Sequence, residues 1–384
     1  MRTYGRLLRH PPTALSLAAA LIGAVPIGMW PLAIVLGVLD GGGTAADAGV
    51  LAAVFGVGNA IGVVTQGSLL ARVRASLLLP AFSLLGLVAA VLLLGDLRVA
   101  GAALAGIAIP AITPAVRGRF ASSLPGRDRP GAYALVNVLF QAGIAIGPLV
   151  AAALATAGLV RFAPAIAASG GVVAAVLLAV AHRGRTLPAP RITASVGAAP
   201  GRGVLALLGV ATAAGFGIGT LQVLVPLRSG AATSGAAFAV LALAEVAAAV
   251  LIGGRVGPRH AFRLILVGTA AMVTVYALLA SGVPAVPAAV ALGGATAVQS
   301  LGSAVGLDRF VPPARIPAVY ALQVAVLIVG AAGGSLVAGV APGAAFPIAA
   351  GLLALSGTLV ALSRRRFAPL DGAPRPAGHQ ATAR

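Results

Sequence analysis

The sequence predicts an all-α integral membrane protein of twelve transmembrane helices, arranged as two pseudo-symmetric six-helix bundles. Three observations lead there. Of the 384 residues, 60% are hydrophobic and only 9% charged; apolar runs last about 20 residues or more without strict alternation; and a segment of the first half recurs in the second. A soluble globular chain carries about 25% charged residues, so the deficit is too large for an ordinary core. Backbone polar groups can be buried in lipid only inside helices or closed barrels, and the lack of alternation favours helices.

Runs long enough to cross roughly 30 Å of hydrocarbon place the first six spans near residues 14–39, 47–70, 75–95, 99–116, 131–158 and 162–181. The second six fall near 203–226, 233–252, 262–281, 284–305, 317–340 and 343–363. Arg2, Arg6 and Arg9 before the first run resemble a secretory signal, but that run is too long for a signal's apolar core and many spans follow. Pro26 and Pro31 in the first span, and Pro110 and Pro114 in the fourth, predict kinks. Pro284 and Pro287 open the tenth. The resulting organisation is an N-terminal bundle over 1–182, a linker over 183–202 with four arginines, a C-terminal bundle over 203–366, and a polar tail over 367–384 with the composition of a disordered segment.

The formal charge of +19 invites a nucleic-acid reading, but the placement of the charge argues against it. There is no lysine, and the arginines sit in short clusters between apolar runs rather than along one helix face. With twelve spans, 23 of the 26 arginines fall on the N-terminal side; Arg98, Arg161 and Arg228 alone fall opposite. Short loops rich in Lys and Arg stay in the cytoplasm, so both termini are expected to be cytoplasmic in a multi-pass cell membrane protein. Cysteine is absent, which removes disulfides, thiolate metal sites and cysteine nucleophiles. No Walker-type loop is present, and His10, His182, His260 and His379 lack ligand spacing; neither a metal nor a cofactor is expected.

The repeat is explicit. Tyr133-Ala134-Leu135, Gly143 and Gly147-Pro148-Leu149-Val150-Ala151 align with Tyr320-Ala321-Leu322, Gly330 and Gly334-Ser335-Leu336-Val337-Ala338, every pair 187 positions apart. Arg119-Phe120 and Arg309-Phe310 extend the match upstream. The fifth and eleventh spans therefore correspond, and each half holds six spans running the same way. Parallel six-span halves with a midplane site between them are a transporter architecture.

On these residues the chain resembles the major facilitator superfamily over essentially its whole length. The family's Gly-x-x-x-Asp-Arg-x-Gly-Arg loop is partly matched by Gly67 and Arg72, with Ala71 in place of the acid and Arg74 in place of the second glycine. After the eighth span the equivalent keeps Arg255, Gly257 and Arg259, with Gly254 at the acid position. In the family this loop is implicated in gating by charge pairing, and both acids are missing here. Gly143-x-x-x-Gly147-Pro148 is similar to the family's antiporter signature, and the same spacing is equally a helix-packing device.

Polar side chains inside a bilayer are expensive and tend to face the bundle interior. Asn59, Gln66, Asn137, Gln141, Gln222, Glu245, Gln299 and Gln323 lie within spans, none of them on the third, sixth, ninth or twelfth, which the resemblance places at the lipid-facing periphery. The amides are candidates for lining a substrate cavity; the alternative for each is a bond between helices. Trp30, near mid-span, either stacks on a substrate or fills core volume. Glu245 is the one acid near the centre of a span. Desolvation there disfavours the charged form, which makes it the candidate for proton coupling or, failing that, a structural partner, with Gln222 and Gln299 the expected hydrogen-bonding neighbours.

The function these residues predict is secondary active transport of a small neutral or apolar solute by alternating access, with export the first expectation and uptake of a neutral metabolite the alternative. An enzyme is not expected, since no convergent acids or histidines share one membrane depth; a lipid-handling protein is the remote alternative. Expected partners are membrane lipid, the small-molecule substrate and protons, for a monomer that binds no nucleic acid.

Overall fold

The computed structural model describes residues 9–70, 72–125, 128–181, 201–253, 260–311 and 315–363. The linker after Ala181, the loop bearing Arg255, Gly257 and Arg259, and the tail lie outside the described residues. Among the described residues every regular element is helical: α1 (Pro11–Asp40), α2 (Ala45–Leu69), α3 (Ala75–Leu94), α4 (Arg98–Ala108 resuming as Ile112–Ser123), α5 (Arg129–Thr156) and α6 (Ala163–Ala181), followed by α7 (202–229), α8 (231–253), α9 (Ala261–Ala280), α10 (Ala285–Phe310), α11 (Ile316–Val340) and α12 (Ala345–Leu362).

Eleven stretches are long and apolar enough to cross a membrane, by length and composition, when Arg202–Gly253 is taken as one. At 1.5 Å per residue that helix would measure roughly 75 Å, more than twice a hydrocarbon core. Gly230 divides it with φ 75° and ψ 179°, a conformation that glycine adopts without penalty. α7 and α8 are thus separate spans, and the described residues hold twelve.

α4 is not the single helix expected over 99–116; it breaks at residues 109–111 and then continues to Ser123. Pro110 has no N–H to donate and cannot continue the hydrogen-bond ladder. α1, by contrast, keeps Pro26 and Pro31 inside one continuous helix.

Between helices in lipid there is little hydrophobic drive, so association depends on close backbone approach. Glycines supply it at equivalent places in the two halves. A Cβ on Gly143 would overlap α1 at the Leu21 carbonyl and the Val25 nitrogen; one on Gly330 would overlap α7 at the Thr212 carbonyl and the Phe216 nitrogen. Gly28 abuts the Ile144 carbonyl as Gly219 abuts that of Ala331. In the second pair of helices, Gly106 on α4 meets Phe55 and Asn59 of α2, and Gly293 on α10 meets Leu241 and Glu245 of α8. Asn59 and Glu245 therefore hold equivalent positions. α3 and α6 pack together, as do α9 and α12. The pairing scheme of the first half is repeated, helix for helix, in the second.

Two seams join the halves: α2 against α11 and α5 against α8. Gly49 meets the Ser335 carbonyl and Gly339, while Gly235 meets the Pro148 carbonyl and Ala152. These contacts are again equivalent, and both lie at the end away from most arginines.

Candidate functional site

The buried core is one body at one end and two bodies at the other. Away from the basic end, a single cluster joins Met29, Trp30 and Phe55 of the first half to Phe216, Leu224 and Tyr276 of the second. At the basic end, Leu17, Ile112, Phe120 and Leu178 form a cluster within the first half. Leu207, Ile265, Leu307 and Val360 form another within the second. A cleft thus divides the halves where the arginines are.

The seams show the same division residue by residue. Ala134 and Ala152 are 18 residues apart on α5, five turns, and so lie on one face. Ala152 is 5% exposed against Gly235, whereas Ala134, at the basic end, is exposed. Ala321 and Gly339 repeat the pattern on α11.

Two polar contacts mark where the α5–α8 seam parts. Ile144 and Ala145 of α5 pack on Ala239 and Ala242 of α8. One turn nearer the basic end, the side chain of Gln141 faces the carboxyl of Glu245 across the seam. Another turn on, Asn137 is exposed, and its Oδ1 accepts a hydrogen bond from Nη2 of Arg117 on the second segment of α4. Four groups from three helices therefore line one wall of the cleft, from a carboxyl at its apex to a guanidinium nearer its mouth.

This arrangement corrects the expected partners of Glu245. Gln299 is 4% exposed, donates to Oγ of Ser303 at 2.8 Å, and has its backbone against Gly268 of α9; it is a packing residue away from the cleft. Gln66, nominated for the cavity, is 1% exposed and sutures the break in α4. Its Nε2 donates to the carbonyls of Ile107 (3.1 Å) and Ile109 (2.7 Å), and its Oε1 accepts from Ala111 N–H at 2.9 Å. Those backbone groups lose their ladder partners at Pro110, and buried polar groups must find others. Trp30 is 2% exposed, tilted against Phe55 at 6.4 Å. It lines a small void inside the first half with Pro26, Ser83 and Pro110; of its two readings the structure gives core volume. Asn59, Gln222 and Gln323 are half-buried and make no hydrogen bond to another described residue.

Among the motif residues, Gly67 has open space around it and Arg72 is exposed. Gly143 and Gly147 are packing glycines against α1, and Pro148 presents its carbonyl to Gly235. Sequence reasoning missed Arg117. It was assigned to a loop because the fourth span was ended at residue 116, whereas the helix runs to Ser123. The Pro110 break was the available signal, since a span interrupted by proline needs more residues to cross.

No family description matches the sequence, and no curated protein does. Solved structures match the fold. The chain is similar to the nucleoside transporter NupG with a TM-score of 0.69 at 12% identity, over 93% of this chain and 99% of that one. It is similar to a bacterial homologue of the human lysosomal transporter Spinster in an inward-facing conformation, with a TM-score of 0.70 at 15% identity over 94% and 97% of the two chains. The POT family transporter PepTSo gives 0.71 at 13% identity over 92% and 97%. The likeness is one of fold: these transporters and this chain share one helical architecture.

Proposed function

We propose that this chain is a secondary active transporter that exports a small, net-neutral solute across the cell membrane by rocking of its two six-helix halves. The observation that carries the reading is the core that is joined at one end and divided at the other. Halves packed at one end and parted at the other have the shape that alternating access asks of one of its two states. The positive-inside rule puts the basic end, the cleft and both termini in the cytoplasm, so the described conformation faces inward. The fold's likeness to transporters of nucleosides and peptides supports transport without choosing a substrate.

Glu245 is the proton-coupling group in this reading. It lies on the seam at the apex of the cleft, facing Gln141 across the halves, where gain or loss of a proton acts on the contact that has to part. The test is transport in proteoliposomes against a panel of neutral and amphoteric compounds, with and without an inward-directed proton gradient. Wild-type export should follow the gradient, and Glu245→Gln should lose that dependence. Transport by the variant that still tracks the gradient would remove Glu245 from the role; a protein that moves no compound of the panel would remove transport.

A further inference from the structure

Two ionisable side chains share the cleft wall with no opposite charge beside them among the described residues. Glu245 is half-buried and faces the neutral Gln141. Arg117 is half-buried and bonded to the neutral Asn137, and its Nε is buried with no hydrogen-bond partner among the described residues. Charges withdrawn from water are normally matched by counter-charges, because neutral dipoles recover only part of the lost hydration. These two do not match each other. The amides that hold them, positions 137 and 141, are successive steps on one face of α5, which separates them by about one helical pitch, roughly 5.4 Å.

We propose that this wall is the substrate site and that it takes a zwitterion, with the solute's carboxylate on Arg117, its ammonium on Glu245, and its two charges about 5–6 Å apart. The site rests on the transporter reading above and sharpens its substrate class, since a zwitterion is net-neutral yet strongly dipolar. Arg117 offers the carboxylate its guanidinium, which pairs with a carboxylate in a planar fork. The amides of Asn137 and Gln141 keep each charge of the wall in place. Ammonium and proton compete for the same carboxylate of Glu245, so one group couples the two fluxes by mutual exclusion.

A series of ω-amino acids measures the spacing directly. Full-length protein in nanodiscs is titrated with glycine, β-alanine, 4-aminobutyrate and 6-aminohexanoate, with butyrate and butylamine as one-ended controls, and binding is read as a thermal shift. 4-Aminobutyrate, whose extended charge separation matches, should bind at least 10-fold more tightly than glycine or either control. Arg117→Gln should erase the preference for the zwitterion over butylamine, and Glu245→Gln the preference over butyrate, with the unliganded melting temperature of each variant reporting that it folds. Equal binding of butylamine and zwitterion by the wild type, a preference that survives both substitutions, or no binding by any member overturns the site. The same vesicle panel separates the two readings: proton-driven movement of another neutral compound, with no binding in this series, ends the zwitterion site and leaves the transporter standing.

Discussion

Single side chains in this molecule settle backbone problems as often as they serve a site. Gln66 is the clearest case, since its three hydrogen bonds satisfy the groups that Pro110 strands in α4. Gln66→Leu keeps the volume and leaves those groups without partners; at about 1–3 kcal/mol for a buried unsatisfied group, it should lower the melting temperature of the purified protein by several degrees. Tyr276 poses the opposite problem. Its ring is fully buried against Gly217 and 6.2 Å from Phe346, and its hydroxyl has no hydrogen-bond partner among the described residues. Tyr276→Phe should be neutral or stabilising by up to about 1–3 kcal/mol, read in the same assay. A marked loss of stability would show that the hydroxyl has a partner the packing does not suggest.

Helices here are positioned by where their glycines are, and the cost of filling each place follows from what stands opposite. A Cβ on Gly219 would run into the Ala331 carbonyl, whereas Gly209 on the same helix has open space. Gly219→Ala should therefore force α7 from α11 and strongly destabilise the protein. Gly209→Ala should be neutral or stabilise by up to about 1 kcal/mol through helix propensity. This layer was legible in the sequence wherever the residue types were rare enough to align. Tyr133 with Tyr320, and Gly143 with Gly330, gave the correspondence of α5 and α11 that the packing repeats. The equivalence of Asn59 and Glu245 was not legible, because α2 and α8 share almost nothing but small apolar letters; it emerges only from the glycines of α4 and α10 that meet them. Hydropathy alone placed the spans but left each amide open between a cavity and a bond to its surroundings, and for Gln66 and Gln299 the hydrogen bonds decide for the second.

At the scale of the whole molecule, alternating access requires that the two ends of the seams open in turn, and the absence of cysteine makes that directly measurable. A single introduced cysteine is the only thiol in the chain. Ala134 and Ala321 lie on seam faces at the basic end and are exposed, while Ala52 and Ala338, at the other end of the seams, are 4% and 0% exposed. Alanine to cysteine is a small change at all four places. A polar maleimide should label Ala134→Cys and Ala321→Cys rapidly in inside-out vesicles, and Ala52→Cys and Ala338→Cys slowly from either side. Under conditions that drive turnover, the first pair should slow and the second should speed up, because closing one end of a rigid half-bundle opens the other. Access from the periplasmic or extracellular side at Ala134→Cys would invert the orientation argued from the arginines. Labelling rates at the two ends that rise and fall together would mean that the halves do not rock, and the divided core would then be a fixed vestibule rather than one of two states.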